Sequence, residues 1–155
     1  MKTFRSLLAI ALLTTTPLFA DATSDARDHS NAFARAFAAR DAKAMLALYA
    51  DDARCIWPGE GEEAAGRAQI ARLIDALLKS FPTGTLTLKS QDAMALGPRY
   101  IATVGQWEQT ATTPDGHTVT FHIRTTEILR KVGTQWLYAI DHASIGLPPP
   151  PAQKK

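Results

Sequence analysis

The sequence predicts an α+β fold in which N-terminal helices pack on the concave face of a strongly bent antiparallel sheet. Three observations predict it. The apolar period stays near 3.6 residues up to Phe81, it changes to 2 after Gly84, and short turns built on Gly and Pro separate everything downstream. Helices first and a meander of long strands afterwards make one layer of each, stacked face to face.

Taken in order, the first residues read as an export signal. Lys2 and Arg5 give a basic start, residues 7–13 an apolar core, and Pro17-Leu18-Phe19-Ala20 a small-residue exit. Cleavage is expected after Ala20 or after Ala22, both of which fit the small-x-small rule. The apolar run falls short of the roughly 18–20 residues that span a bilayer, so no membrane anchor is expected after cleavage, and the mature chain should be periplasmic or secreted. The expected division is a signal over 1–22, one domain over 23–145 and a Pro-rich tail over 146–155. That tail carries four consecutive prolines at 148–151, which can join neither sheet nor helix.

Within the domain, Ser24 and Asp25 are placed to cap a first helix carrying His29, Phe33, Ala36, Phe37 and Arg40 at helical spacing. Asp41 caps a short second helix with Met45, Leu48 and Tyr49, ended by Asp51 and Asp52. A short strand follows over 54–57, then a loop opened by Pro58. From Gly66 a third helix lines up Ile70, Leu73, Ile74, Leu77, Leu78 and Phe81 on one face, and Pro82 with Gly84 stops it. Strands are expected over 85–96, 99–112, 117–131 and 135–144. The connections at Gly97-Pro98, Asp115-Gly116 and Gly133 are too short for anything but antiparallel neighbours. Apolar residues occupy both faces of these strands, which implies helices over the concave face and a second copy of the chain, as a homodimer, over the convex one.

Composition excludes several function classes. The chain has 17 Lys and Arg against 15 Asp and Glu; without Lys2 and Arg5 the count is 15 against 15, a formal charge of zero. A neutral mature domain has no electrostatic footprint for nucleic acid. Cys55 is the single cysteine, so neither a disulfide scaffold nor a Cys-rich metal site is available. His29, His117, His122 and His142 show no ligand spacing, and no metal or cofactor is expected. Cys55 has no basic partner nearby to make it a thiolate and reads as an apolar filler. His142 and Asp141, adjacent in a strand, point to opposite faces and cannot share a substrate.

The segments Leu48-Tyr49-Ala50-Asp51-Asp52-Ala53, Gly66-Arg67, Pro114-Asp115-Gly116, Arg124-x-Thr126-Glu127-x-x-Arg130, Gly133-x-x-Trp136 and Asp141-His142-x-Ser144, in this order, resemble the nuclear transport factor two-like superfamily and especially its SnoaL-like branch, over residues 24–144. The resemblance implies a cone-shaped, cystatin-like dimer with a cavity at its wide end, in a superfamily that includes isomerases, cyclases, hydrolases and oligomerisation domains. It also implies the faces. Cys55, Trp57, Gly105, Trp107, Gln109, Ile123, Thr125, Glu127, Ala139, Asp141 and Ala143 would point inward, with Phe33 and Tyr49 approaching from the helices. Trp136, Tyr138, Ile140 and His142 would point outward.

A ketosteroid isomerase needs a carboxylate base, a tyrosine and a protonated acid. By the resemblance, the base position here holds Trp57, the tyrosine position Phe33, and only the second acid survives, as Glu127. An indole cannot abstract a carbon-bound proton, so that mechanism is not expected. The expected site is a small-molecule pocket bounded by Phe33, Tyr49, Trp57, Trp107, Thr125 and Glu127, with Glu127 and Asp141 as the candidates for catalysis. Three readings stay open: a binding protein for a largely apolar molecule or an organic cation, an isomerase, cyclase or hydrolase using Glu127 as general acid or base, and a structural dimerisation module whose tryptophans fill the core. Glu127 itself is either a pocket carboxyl with a raised pKa or the partner of Arg124 or Arg130.

Overall fold

The computed structural model describes residues 18–58 and 63–146. The basic start and apolar core of the export signal, the loop residues 59–62 and the four-proline tail lie outside the described residues. The elements run α1 (Leu18–Ala38), α2 (Ala42–Ala47), β1 (Tyr49–Ile56), β2 (Glu63–Ala65), α3 (Arg67–Ser80), β3 (Thr83–Gly97), β4 (Tyr100–Thr112), β5 (Thr118–Val132) and β6 (Gln135–Ile145). One six-stranded sheet has the order β2-β1-β6-β5-β4-β3.

From β3 to β6 the sheet is the antiparallel meander that the tight turns require. At the other edge the expectation fails. β1 pairs with β6 in parallel, placing Cys55 opposite Asp141, and β2, which the sequence reads as loop, pairs antiparallel with β1. The sheet is therefore mixed. A parallel pair needs a long crossover between its strands, and here the entire stretch from α3 through β5 serves as that crossover.

α1 lies across β3 and also meets β4 and β6, whereas α3 packs on β1, β2 and α2. Met45, Ile70, Ile74, Ile101 and Leu129 are sealed between the layers. α1 begins at Leu18, so Ser24 and Asp25 lie inside the helix instead of capping it. Asp25 accepts the Trp136 indole N–H at 2.7 Å, tying helix to sheet. Asp41 caps α2 as its sequence suggests, accepting from the Ala44 amide at 2.9 Å. That helix stops at Ala47, however, and Tyr49 to Asp52 belong to β1. Arg40 reaches across to α3, donating to the Phe81 carbonyl at 2.5 Å and to the Leu78 carbonyl, two acceptors the end of a helix leaves without partners.

The face assignment holds along β4 and β5, where Ile101, Thr103, Trp107, Gln109, Thr125, Glu127 and Leu129 are all buried. In β6 it holds for Asp141 and Ala143 but fails for Tyr138 and Trp136. The pairing jumps from Ile128 opposite Ile140 to Leu129 opposite Tyr138, leaving Ala139 as an extra, bulged residue. An inserted residue reverses the alternation on its far side. Tyr138 is thereby turned into the core at 2 % exposure, against His29 and Tyr49, and Trp136 turns toward α1.

Gly66 shows why the start of α3 carries glycine. Its φ is +75°, a conformation that costs any residue with a Cβ, and an added Cβ would also stand 3.3 Å from the Asp51 carbonyl. Gly66→Ala is expected to lower stability by about 1–2 kcal/mol. A urea midpoint equal to that of the parent would contradict this account.

Candidate ligand cavity

Strand register, more than any single motif, assembles the site. Thr103 on β4 faces Glu127 on β5, Glu127 faces Asp141 on β6, and Asp141 faces Cys55 on β1. These four side chains share the inner face and form one polar row across the sheet, buried beneath the helices.

Asp141 is the anchor of that row. Its Oδ2 accepts the Tyr49 hydroxyl at 2.6 Å and the Trp57 indole N–H at 2.8 Å, and the Cys55 thiol lies 3.8 Å away. Burial raises the Asp141 pKa, while its tyrosine, tryptophan and cysteine donors oppose that rise by favouring the ionised form. Glu127 has less help. The Thr103 hydroxyl donates to its Oε2 at 2.5 Å, and the Thr125 hydroxyl, close by, forms no hydrogen bond of normal geometry. Burial first, then the charge of Asp141, pushes Glu127 up to about 7. The two carboxyls titrate as a pair: burial raises both, and the charge of Asp141 raises Glu127 further.

The alternative in which Glu127 pairs with an arginine does not occur. Arg130 pairs with Asp52 and Arg124 bonds the Ile145 carbonyl at 3.4 Å, both on the outside. His142 is exposed on the face opposite Asp141. Burial pushes the Cys55 thiol up, the reverse of what a nucleophile needs. Among the described residues, no group of three or more His, Cys, Asp or Glu side chains is arranged to hold a metal ion.

Above the polar row the sheet and α3 diverge around a cavity of about 790 Å³. Phe33, Trp57, Trp107, Thr125, Glu127 and Asp141 line it, together with Tyr138. Tyr49 is fully buried behind Asp141 and is not among the lining residues; it enters the site from β1 and not from a helix. The opposite wall is the α3 stripe Leu73, Ala76 and Leu77, continued by Phe81, which meets Phe121 edge-on at 5.6 Å. Phe33 packs edge-on against Trp57 at 6.0 Å. Sequence reasoning missed Thr103 and Tyr138. Thr103 was legible in principle, since it shares the strand and parity of Trp107, but Tyr138 depended on the bulge.

A row of buried carboxyls under an apolar cavity, in a bent sheet capped by helices, defines a protein of the nuclear transport factor two-like class. The chain belongs to the SnoaL-like domain family, whose match spans residues 27–148. Solved structures agree on the fold. An uncharacterized protein with a cystatin-like fold from Caulobacter vibrioides superposes with a TM-score of 0.71 at 21% identity, covering 83% of this chain and 92% of that one. A ketosteroid isomerase-like protein from Erwinia carotovora atroseptica gives 0.70 at 21% identity, over 81% and 96%. A hexachlorocyclohexane dehydrochlorinase gives 0.73 at 10% identity, over 81% and 85%. Among curated proteins no match is found. At such identities the likeness is one of fold, and function rests with the site.

Proposed function

We propose that this protein is an exported dimer that binds a small, largely apolar molecule in its internal cavity, with the polar end of the ligand set against Glu127 and Asp141. The observation that carries this reading is a cavity of about 790 Å³, within the range of small-molecule sites, that has aromatic walls and two buried carboxyls at its floor. A structural module would be expected to fill that space with its tryptophans. Instead Trp57 is held to the wall by Asp141, and Trp107 lines the same cavity.

A second reading, proton transfer on the bound molecule, is favoured by one observation. Glu127, at about 7, has a pKa suited to giving or taking a proton near neutral pH, and Asp141 lies directly opposite it on β6. In this reading Glu127 is the proton carrier of an isomerisation, cyclisation or elimination.

Pairing with a second copy is supported by the convex face, where Met94, Val104 and Ile140 stand exposed at 60%, 58% and 48%. Export is supported by the leading residues; a cut after Ala20 would keep Ala22, which is buried in α1, whereas a cut after Ala22 would remove it.

One experiment reads all three. Native mass spectrometry of the protein recovered from the periplasm of an expressing cell is expected to give a chain starting at Asp21, a dimeric mass, and an additional small mass released on unfolding. A cytosolic full-length monomer without added mass would refute the reading. If a ligand is recovered, Glu127→Gln should retain it while abolishing its conversion under the second reading; equal loss of both would count against proton transfer by Glu127.

A further inference from the structure

Three indole N–H groups can be compared within this one chain. Trp57 donates to Asp141 and Trp136 donates to Asp25, each at a normal hydrogen-bond distance. Trp107 donates to nothing among the described residues, although it is 5 % exposed. Buried N–H groups without a partner are rare in folded proteins, so the exception points to a partner that is not part of the chain.

Trp107 is not alone. Gln109 Nε2 is also buried and unpartnered, Thr125 Oγ1, close to Glu127, forms no hydrogen bond of normal geometry, and all three residues line the cavity. They occupy the inner face of two adjacent strands, with Thr125 registered opposite Gly105, two residues before Trp107. Gly105 brings them together. A Cβ there would lie 2.7 Å from Thr125 Oγ1 and 3.1 Å from Trp107 Nε1, so only glycine lets both polar atoms close on the same stretch of bare backbone.

We propose that this β4–β5 wall receives a neutral carbonyl oxygen of the ligand, held by the Trp107 indole N–H with Gln109 and Thr125 beside it. The proposal rests on the ligand-binding reading above and names the ligand as an apolar ketone, ester, lactone or quinone. The chemistry of the wall selects that class. The unpartnered atoms of Trp107 and Gln109 are donors, so the wall calls for an acceptor, and an organic cation would leave both donors unpaired. An anion is disfavoured by the two carboxyls on the same inner face, and the one cationic residue in the lining, Arg72, is exposed on α3. A hydrocarbon would leave three buried polar atoms without partners.

The test uses the mature dimer, labelled with ¹⁵N, and three probes of one shape: tetralin, α-tetralone and a tetralin carboxylate. Tetralone is expected to bind on the order of tenfold tighter than tetralin. Its binding should move the Trp107 indole N–H resonance downfield and leave that of Trp136 in place. Trp107→Phe keeps the ring and removes the donor, and Thr125→Val keeps the shape and removes the hydroxyl. In both variants the ratio of tetralone to tetralin affinity should fall toward one. Equal affinity for ketone and hydrocarbon, a Trp107 resonance that stays fixed while tetralone is bound, or tightest binding by the carboxylate would each overturn the proposal and leave the cavity as a ligand site. Entry of none of the probes would overturn the ligand-binding reading and this inference with it.

Discussion

Glu127→Gln is expected to expose a pH dependence of stability that the parent protein conceals. Glu127 rises from 4.5 to about 7 on folding, so the folded state holds a proton that the unfolded chain has lost. Its contribution is full below pH 4.5 and is lost as pH rises through 7, a change of about 3 kcal/mol. His29 acts in the opposite sense. Burial against Tyr138, with both ring nitrogens unpartnered, lowers it from 6.5 to about 4, so the unfolded chain takes up a proton that the folded one refuses. Its contribution is full above pH 6.5 and is lost as pH falls through 4, again by about 3 kcal/mol. Between pH 4.5 and 6.5 the two slopes cancel. Glu127→Gln removes one of the two raised carboxyls that oppose His29, so stability should climb with pH across that window more steeply than in the parent, with Asp141 still working against His29. In His29→Leu, which leaves no orphaned acceptor, the Glu127 slope stands alone, and stability should fall from pH 4.5 to 7. Urea midpoints across this range decide the matter, and parallel profiles for parent and Glu127→Gln would show that Glu127 titrates normally.

Asp141→Ala is expected to cost about 3 kcal/mol, because it strands the buried Tyr49 hydroxyl and the half-buried Trp57 indole, donors whose loss of a partner costs up to about 1–3 kcal/mol each. Relief from burying the carboxylate offsets part of that. Asp141→Asn retains an acceptor oxygen and should cost clearly less. Both changes remove a charge that raises Glu127, so the Glu127 carboxyl should titrate lower in each, which carbon NMR of that side chain would follow. A neutral or stabilising Asp141→Ala would mean that burying the carboxylate outweighs its hydrogen bonds, and Asp141 would lose its part as the anchor of Trp57. An unchanged Glu127 titration in Asp141→Asn would separate the two carboxyls.

Both results depend on side chains brought together from opposite ends of the chain, and the sequence supplied them unevenly. Glu127 and Thr125 were legible because the family resemblance fixed which face of β5 points inward and the strand alternates without interruption. Trp107 followed in the same way on β4. Asp141 was legible as an inward carboxyl but not as the acceptor of Tyr49, since that bond requires β1 to run parallel to β6 at a particular register. Tyr49 itself was drawn toward α2 by its apolar neighbours, although the chain turns into the sheet one residue earlier.

By itself the sequence determined the order of the three helices and of five of the six strands, and the tight turns of the meander, because these are encoded in local periods and turn chemistry that the backbone enforces over a few residues; the inward parity of β4 and β5 came with the family resemblance. The tertiary structure alone decided the parallel closure of β1 on β6, the bulge at Ala139 that turns Tyr138 and Trp136 inward, and the hollow between α3 and the sheet. Each of these arises from packing between segments far apart in the chain. A local period says which residues share a face; it does not say which strand lies alongside, where one extra residue is absorbed, or how much space is left unfilled.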